Sequence, residues 1–256
     1  MLSLWLYHIF SLYLSLILSL FSATRSIAQD LLNVKRVYIF VPLVDILLSL
    51  YFRFCGLSPL TVDLDEQTVM HFWIANHRRC NKPDLVLVHG NGGNSRWQFL
   101  NQVGSLSKSF NLYIPDLLFF GRSKTTRLDR SDALQAECVS EGLKRLGVER
   151  CAVFGVSYGG YVAYRMAEMH QQMVENVVIV SSGVCCAEDQ KGSQLKKIKM
   201  EVVDLLVPKK PQDLRSLAKM SFYKYDPFKW IPDYFLQEFI DGDLNLDLYE
   251  KRDCDH

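Results

Sequence analysis

From Leu60 onward the chain alternates short apolar runs with stretches of helical period. Leu60–Asp65 (LTVDLD) and Thr68–Ala75 (TVMHFWIA) alternate at the period of a strand and flank the polar Asp65-Glu66-Gln67, which predicts a hairpin. Asn76–Pro83 is a polar loop. Asp84–Val88 (DLVLV) is continuous and aliphatic, the pattern of a strand buried on both faces, and it runs into His89-Gly90-Asn91-Gly92-Gly93. Ser95 is placed to cap a helix beginning near Arg96, with Trp97, Leu100 and Val103 as its apolar face. Asn111–Leu118 predicts the next strand, followed by a Phe119–Ser123 loop with exposed aromatics. Ser131–Leu146 fits a helix capped by Ser131 and ended by Gly147. Arg150–Gly155 (RCAVFG) predicts a strand, Val162, Ala163, Met166 and Ala167 recur at helical spacing, and Val174–Ser182 predicts one more buried strand. Strands alternating with helices in this way predict an α/β fold with a mostly parallel sheet.

After Ser182 the alternation stops. Leu195–Leu206, Pro211–Ser221 and Ile231–Ile240 read as helices, interleaved with dense apolar and aromatic residues, which suits a cap over the strand ends; ordinary packing helices are the plainer alternative. The expected organisation is a hydrophobic anchor region over 1–54, a core over 55–184, a helical cap over 185–241 and an acidic, unpatterned tail over 242–256.

The N-terminal region changes the picture of where the protein works. Leu2–Phe21 holds no Lys, Arg, Asp or Glu, and its length suffices to span a bilayer. A secretory signal peptide is the rival reading, with Ser26-Ile27-Ala28 as a cleavage site. No basic residue precedes the run, whereas Arg25, Lys35 and Arg36 follow it, so the positive-inside rule favours an anchor with the downstream domain in the cytosol. A second apolar stretch, Val37–Phe54, is interrupted by Pro42 and Asp45; an interfacial helix and a helix packed on the domain both fit it.

Composition adds exclusions. The net charge of +1 comes with no basic run, which gives no sign of a nucleic-acid partner. Seven cysteines with no C-x-x-C support neither a zinc site nor a disulfide framework, and Cys138 and Cys151 read as buried small hydrophobes. Gly90–Ser95 lacks the last glycine of a dinucleotide loop, and Asp116 comes later than its acidic partner should, so no nucleotide cofactor is expected. His71, between apolar neighbours, reads as a sheet residue rather than a ligand.

The chemistry concentrates in Gly155-Val156-Ser157-Tyr158-Gly159, a G-x-S-x-G pattern between a predicted strand and a predicted helix. A serine on such a turn holds a strained backbone that points its hydroxyl outward, and side chains at Gly155 or Gly159 would clash with the turn. The helix start behind it offers backbone N–H groups to a developing oxyanion.

Four features together resemble the α/β-hydrolase superfamily: His89-Gly90-Asn91-Gly92, the Asp116…Gly121-Arg122-Ser123 loop, Gly155-Val156-Ser157-Tyr158-Gly159-Gly160, and a helical insertion after the next strand. The likeness runs from about Cys55 to Asp241 and is nearest the plant branch of monoacylglycerol-lipase-like esterases and lipases. It implies Ser157 as nucleophile, the backbone N–H groups of Asn91 and Tyr158 as oxyanion hole, Gly90, Gly92, Gly155 and Gly159 as the glycines that shape loop and elbow, a structural His89, a small apolar ester as substrate and no cofactor. Haloalkane dehalogenases share the His-Gly-Asn opening but use an aspartate nucleophile, which Ser157 argues against. The resemblance also calls for an acid and then a histidine after later strands. Only His170 and His256 follow the serine, and neither His256 nor Asp241, Asp243, Asp247, Asp253 or Asp255 follows a predicted strand, so the expectation is a chain that stops near the cap without its triad acid and base.

Overall fold

The computed structural model describes residue 19 and residues 39–184, 208–222, 224 and 228–242. These fall into two compact units: residues 45–184 form one, and residues 39–44 with 208–242 belong to the other.

The larger unit is built on a seven-stranded sheet. β1 (Leu57–Asp63) and β2 (Thr68–Ala75) form the expected antiparallel hairpin, with Leu57 opposite Ala75 and Asp63 opposite Val69. β2 also pairs antiparallel with β4 (Asn111–Pro115) and with the two-residue β5 (Lys124–Thr125). β3 (Asp84–Val88), β4, β6 (Cys151–Val156) and β7 (Val174–Val180) run parallel, in the spatial order β1-β2-β4-β3-β6-β7. The continuous aliphatic run of β3 is buried at every residue, as a central parallel strand must be.

Alternation along β3 divides the core. Val86 and Val88 face one side, against Val139, Leu143, Val162 and Met166, from α3 (Asp132–Arg145) and α4 (Tyr158–Met169). Leu85 and Leu87 face the other, against Phe52, Phe99 and Val103, from α1 (Phe40–Phe54) and α2 (Ser95–Leu106). Successive side chains point to opposite faces of a strand, so one aliphatic run serves both layers.

The second apolar stretch is α1. Pro42 lies in its first turn, where a missing N–H breaks no helical bond. Asp45 does not interrupt it. Its carboxylate accepts from Arg96 Nη2 at 2.7 Å and from Trp97 Nε1 at 2.9 Å, and Ser49 Oγ accepts from Arg96 Nη1 at 2.6 Å. Phe52 is fully buried against Trp73. The sequence left packing on the domain and an interfacial position both open; the buried face of α1 satisfies the first.

Four expectations are corrected. Asn94, not Ser95, caps α2: its side chain accepts from the Arg96 N–H, which leaves Ser95 as the first helical residue with its hydroxyl on Asp116. Phe99 and Val103 form the buried face of α2, while Leu100 is exposed and Trp97 turns its indole to Asp45. Phe119 and Phe120 are half-buried, with Phe120 edge-on to His89. β7 ends the strand order and exposes Val178, Ile179 and Val180, because it has a strand neighbour only on the β6 side among the described residues.

In the smaller unit, α5 (Pro211–Ser221) and α6 (Asp233–Gly242) fall where helices were expected. They pack through Leu214, Leu236 and Ile240, and Arg215 ties Phe228 O, Ile231 O and Asp233 together. No helix of the described residues is long and apolar enough to cross a membrane. The Leu2–Phe21 run, apart from residue 19, the expected helix Leu195–Leu206 and the tail from residue 243 lie outside the described residues.

Candidate active site

The strand order locates the site before any side chain is considered. From β3 the chain crosses to β4 on one side, and from β6 it crosses to β7 on the other. The connections therefore diverge at the carboxyl ends of β3 and β6, the switch point where open α/β sheets bind ligands. The two segments leaving those ends are His89–Asn94 and Ser157.

Ser157 stands between β6 and α4 with φ 54 and ψ −118, in the left-handed region that non-glycine residues rarely adopt. Its N–H donates to Val180 O at 2.9 Å, and its carbonyl accepts from Gly160 N at 2.9 Å. The corner is tight enough to dictate its glycines. A Cβ on Gly155 would lie 2.3 Å from Gly159 O, and one on Gly159 would lie 2.3 Å from Val88 O and 2.5 Å from His89 O. Both clashes are with backbone, which cannot swing aside. Gly159→Ala is therefore expected to destabilise the fold by about 3 kcal/mol, read as a fall in Tm of about 8 °C by circular dichroism; an unchanged Tm would contradict the packing of β3 under this helix.

The loop after β3 is pressed against the elbow. A Cβ on Gly90 would sit 2.8 Å from Val156 O and 2.9 Å from Ser157 Cβ, so only glycine lets the two segments meet. Gly92 and Gly93 have φ 86 and 74, which turns the loop back toward α2. Gln98, which the sequence reading did not single out, clamps it. Its Oε1 accepts from Gly90 N at 2.7 Å, while its Nε2 donates to Gly92 O at 2.9 Å and Gly90 O at 3.2 Å. A glutamine one turn into the helix after a glycine loop is the only signal that could have revealed it. The Asn91 N–H has no acceptor among the described residues. Tyr158 is the first residue of α4, where backbone N–H groups have no acceptor within the helix.

His89 is fully buried and both ring nitrogens are engaged: Nε2 accepts from the Leu117 N–H at 2.9 Å, which leaves Nδ1 to donate to Gly90 O at 2.7 Å. Burial lowers its pKa, against the opposing pull of the Asp116 charge and the bond to Gly90. It is a neutral strut for the loop, as the resemblance implied, and has no nitrogen to offer as a base.

Asp116 anchors the same loop from below. Its Oδ1 accepts from Ser95 Oγ at 2.5 Å and Ser95 N at 3.1 Å, and its Oδ2 accepts from Arg122 N at 3.1 Å and lies 3.0 Å from His71 Nδ1, an ion-pair contact without straight hydrogen-bond alignment. Ser123 Oγ donates to Asp116 O at 2.6 Å and accepts from His71 N at 2.8 Å. Burial pushes the Asp116 carboxyl up, but the close approach of the His71 ring, then His89 and the Ser95 hydroxyl, outweigh it and hold the group well below the usual carboxylate range. Gly121, at φ 54, makes the room, since a Cβ there would lie 2.4 Å from Asp116 Oδ2.

The structure thus brings Gly90, Gly155, Ser157, Tyr158 and Gly159 to one point, with Asn91 and Gly92 in the adjoining loop. It brings no acid–base pair to Ser157 among the described residues, and Ser157 Oγ makes no hydrogen bond there. His170 ends α4, about 20 Å along the helix at 1.5 Å per residue. Asp241 lies in α6, while Asp243, Asp247, Asp253, Asp255 and His256 lie outside the described residues.

Residues 83–216, just over half the chain, match the family model of the alpha/beta hydrolase fold. The chain belongs to that family. It is similar to the human 1-acylglycerol-3-phosphate O-acyltransferase ABHD5, 34% identical over 110 residues, or 41% of this chain and 31% of that protein. It is also similar to the pimeloyl-(acyl-carrier protein) methyl ester esterase of Nitrosomonas europaea, 37% identical over 106 residues, or 41% of this chain and 39% of that one. The matched stretch spans less than half the length of these relatives. Among solved structures, a bacterial membrane phospholipase A shares the fold at TM-score 0.68 and 22% identity, over 93% of this chain and 74% of that chain.

Proposed function

We propose that this chain is a serine hydrolase acting on esters of apolar acyl groups, with acylglycerol-like lipids as its substrate class. Ser157 gives its hydroxyl proton to a base as its Oγ attacks the ester carbonyl carbon, and the oxygen that becomes negative is received by the backbone N–H groups of Asn91 and Tyr158. Collapse of the tetrahedral intermediate expels the alcohol, which takes up that same proton, and leaves an acyl-serine that water hydrolyses to the acid. The observation that carries this reading is the elbow itself: a serine at φ 54, at the switch point, with the Gly90 loop packed so closely that any side chain there would touch it. The names of the acyltransferase and esterase relatives support acyl transfer between oxygen atoms. The uncharged run Leu2–Phe21 supports a membrane-associated protein whose domain faces the cytosol, where such lipids are at hand.

A serine needs a base. His89 is committed to the loop and His170 is far along α4, so neither serves Ser157 as the base this mechanism calls for. A second reading follows from the same observation: an elbow with no base would hold an acyl ester without turning it over, and the chain would be a binding module.

A series of p-nitrophenyl esters separates these readings. The hydrolase reading expects kcat/KM to rise by about tenfold or more from acetate to octanoate, since each buried methylene adds favourable transfer energy. Equal rates across the series would remove the apolar-acyl assignment, and binding of a long-chain ester without hydrolysis would establish the binding module.

A further inference from the structure

α1 has two apolar faces, and the sheet uses one. At 3.6 residues per turn, Leu48 and Phe52 share the buried side, with Asp45 and Ser49 beside them on Arg96. Ile46, Leu47, Leu50 and Phe54 fall within an arc of about 100° on the opposite side. They are 58%, 53%, 57% and 88% exposed, an apolar stripe gathered on one side of the helix rather than scattered singly over the surface. Where the stripe ends, at Phe54, a cleft of about 730 Å³ opens beside the carboxyl end of α2. Tyr51 and Phe54 form its apolar wall, and Arg79, Lys82 and Lys108 supply its charge. None of its lining residues is acidic, and none of these three cations is in an ion pair among the described residues; the Lys82 ammonium donates only to Ser107 O, at 3.0 Å. Arg53, in the last turn of α1, adds a further positive charge at the same end.

We infer that this face of the larger unit docks on an anionic lipid surface, with Ile46, Leu47, Leu50 and Phe54 entering the acyl boundary and Arg79, Lys82 and Lys108 meeting the headgroup charge. The charge pattern selects the occupant. An apolar stripe flanked by cations is the arrangement by which an interfacial helix holds an anionic leaflet. A second copy seated on this face would set like charges against each other. The inference is independent of the chemistry at Ser157.

The test is co-sedimentation of the full chain with vesicles of phosphatidylcholine alone and of phosphatidylcholine with added phosphatidylserine. Anything Leu2–Phe21 contributes to both is cancelled in the comparison. The expected result is binding about tenfold or more tighter to the anionic vesicles at low salt, lost in high salt. Arg79→Ala/Lys82→Ala/Lys108→Ala should abolish the anionic preference, and Ile46→Gln/Leu50→Gln/Phe54→Gln should weaken binding to both vesicles. Equal binding to the two, or a preference that survives the triple alanine variant, would overturn the inference. So would self-association that Leu50→Gln abolishes while vesicle binding stays unchanged, which would give this face to a second copy. Should the triple variant fail to fold, the salt titration of the unaltered chain decides by itself.

Discussion

Alanine at position 157 is expected to lower ester hydrolysis by the chain at least about a thousandfold, because removal of a nucleophile leaves only the contribution of the oxyanion donors and of binding. The substitution removes one oxygen and keeps Cβ, so the strained corner at φ 54 is carried unchanged. The Ser157 side chain makes no capping bond that the variant would lose. Tm should therefore stay within about 2 °C of the unaltered chain. Loss of turnover with an unmoved Tm is the signature of a group that acts on substrate. Hydrolysis that persisted in Ser157→Ala would move the nucleophile elsewhere.

The largest expected effect on stability is at Asp116. Asp116→Ala strips the bonds from Ser95 and Arg122 and leaves His71 buried without its carboxylate, a loss of about 3–5 kcal/mol for a broken buried pair. That corresponds to a fall in Tm of about 10 °C or more. The same group sets a pH dependence. Its folded pKa lies below the unfolded value near ~3.9, so its contribution is complete above about pH 5 and is lost as the pH falls through and below the unfolded value. His89 works in the same direction, because its folded pKa is also lowered: below about pH 6.5 the unfolded chain takes up a proton that the folded chain refuses. The urea midpoint should therefore fall steadily from pH 7 to pH 4, and Asp116→Asn should flatten the lower part of that decline and leave the upper part. A midpoint that rose toward acid would contradict both assignments.

What could be read in the sequence was local. The continuous run Asp84–Val88 could only be a central strand, and the glycines around Ser157 could only serve a corner too tight for side chains. What escaped reading was joined by bonds across long stretches of chain. Asn94 and Ser95 are both favoured caps, and nothing nearby shows that the Ser95 hydroxyl is committed to Asp116, twenty-one residues on. Asp45 looked like a break in an apolar helix because its partner, Arg96, is fifty-one residues away. Gln98 was silent because a polar residue in the first turn of a helix ordinarily faces water, whereas here it turns back on the Gly90–Gly92 backbone.

Treatment of the folded 256-residue chain with a fluorophosphonate probe, followed by digestion and mass mapping of the adduct, tests the central claim most directly. The account predicts a single covalent adduct on Ser157, absent from Ser157→Ala and reduced when Gln98→Leu releases the loop that carries the Asn91 N–H. An adduct on another serine, or no adduct on a chain shown to be folded, would contradict the assignment of Ser157 as an activated nucleophile.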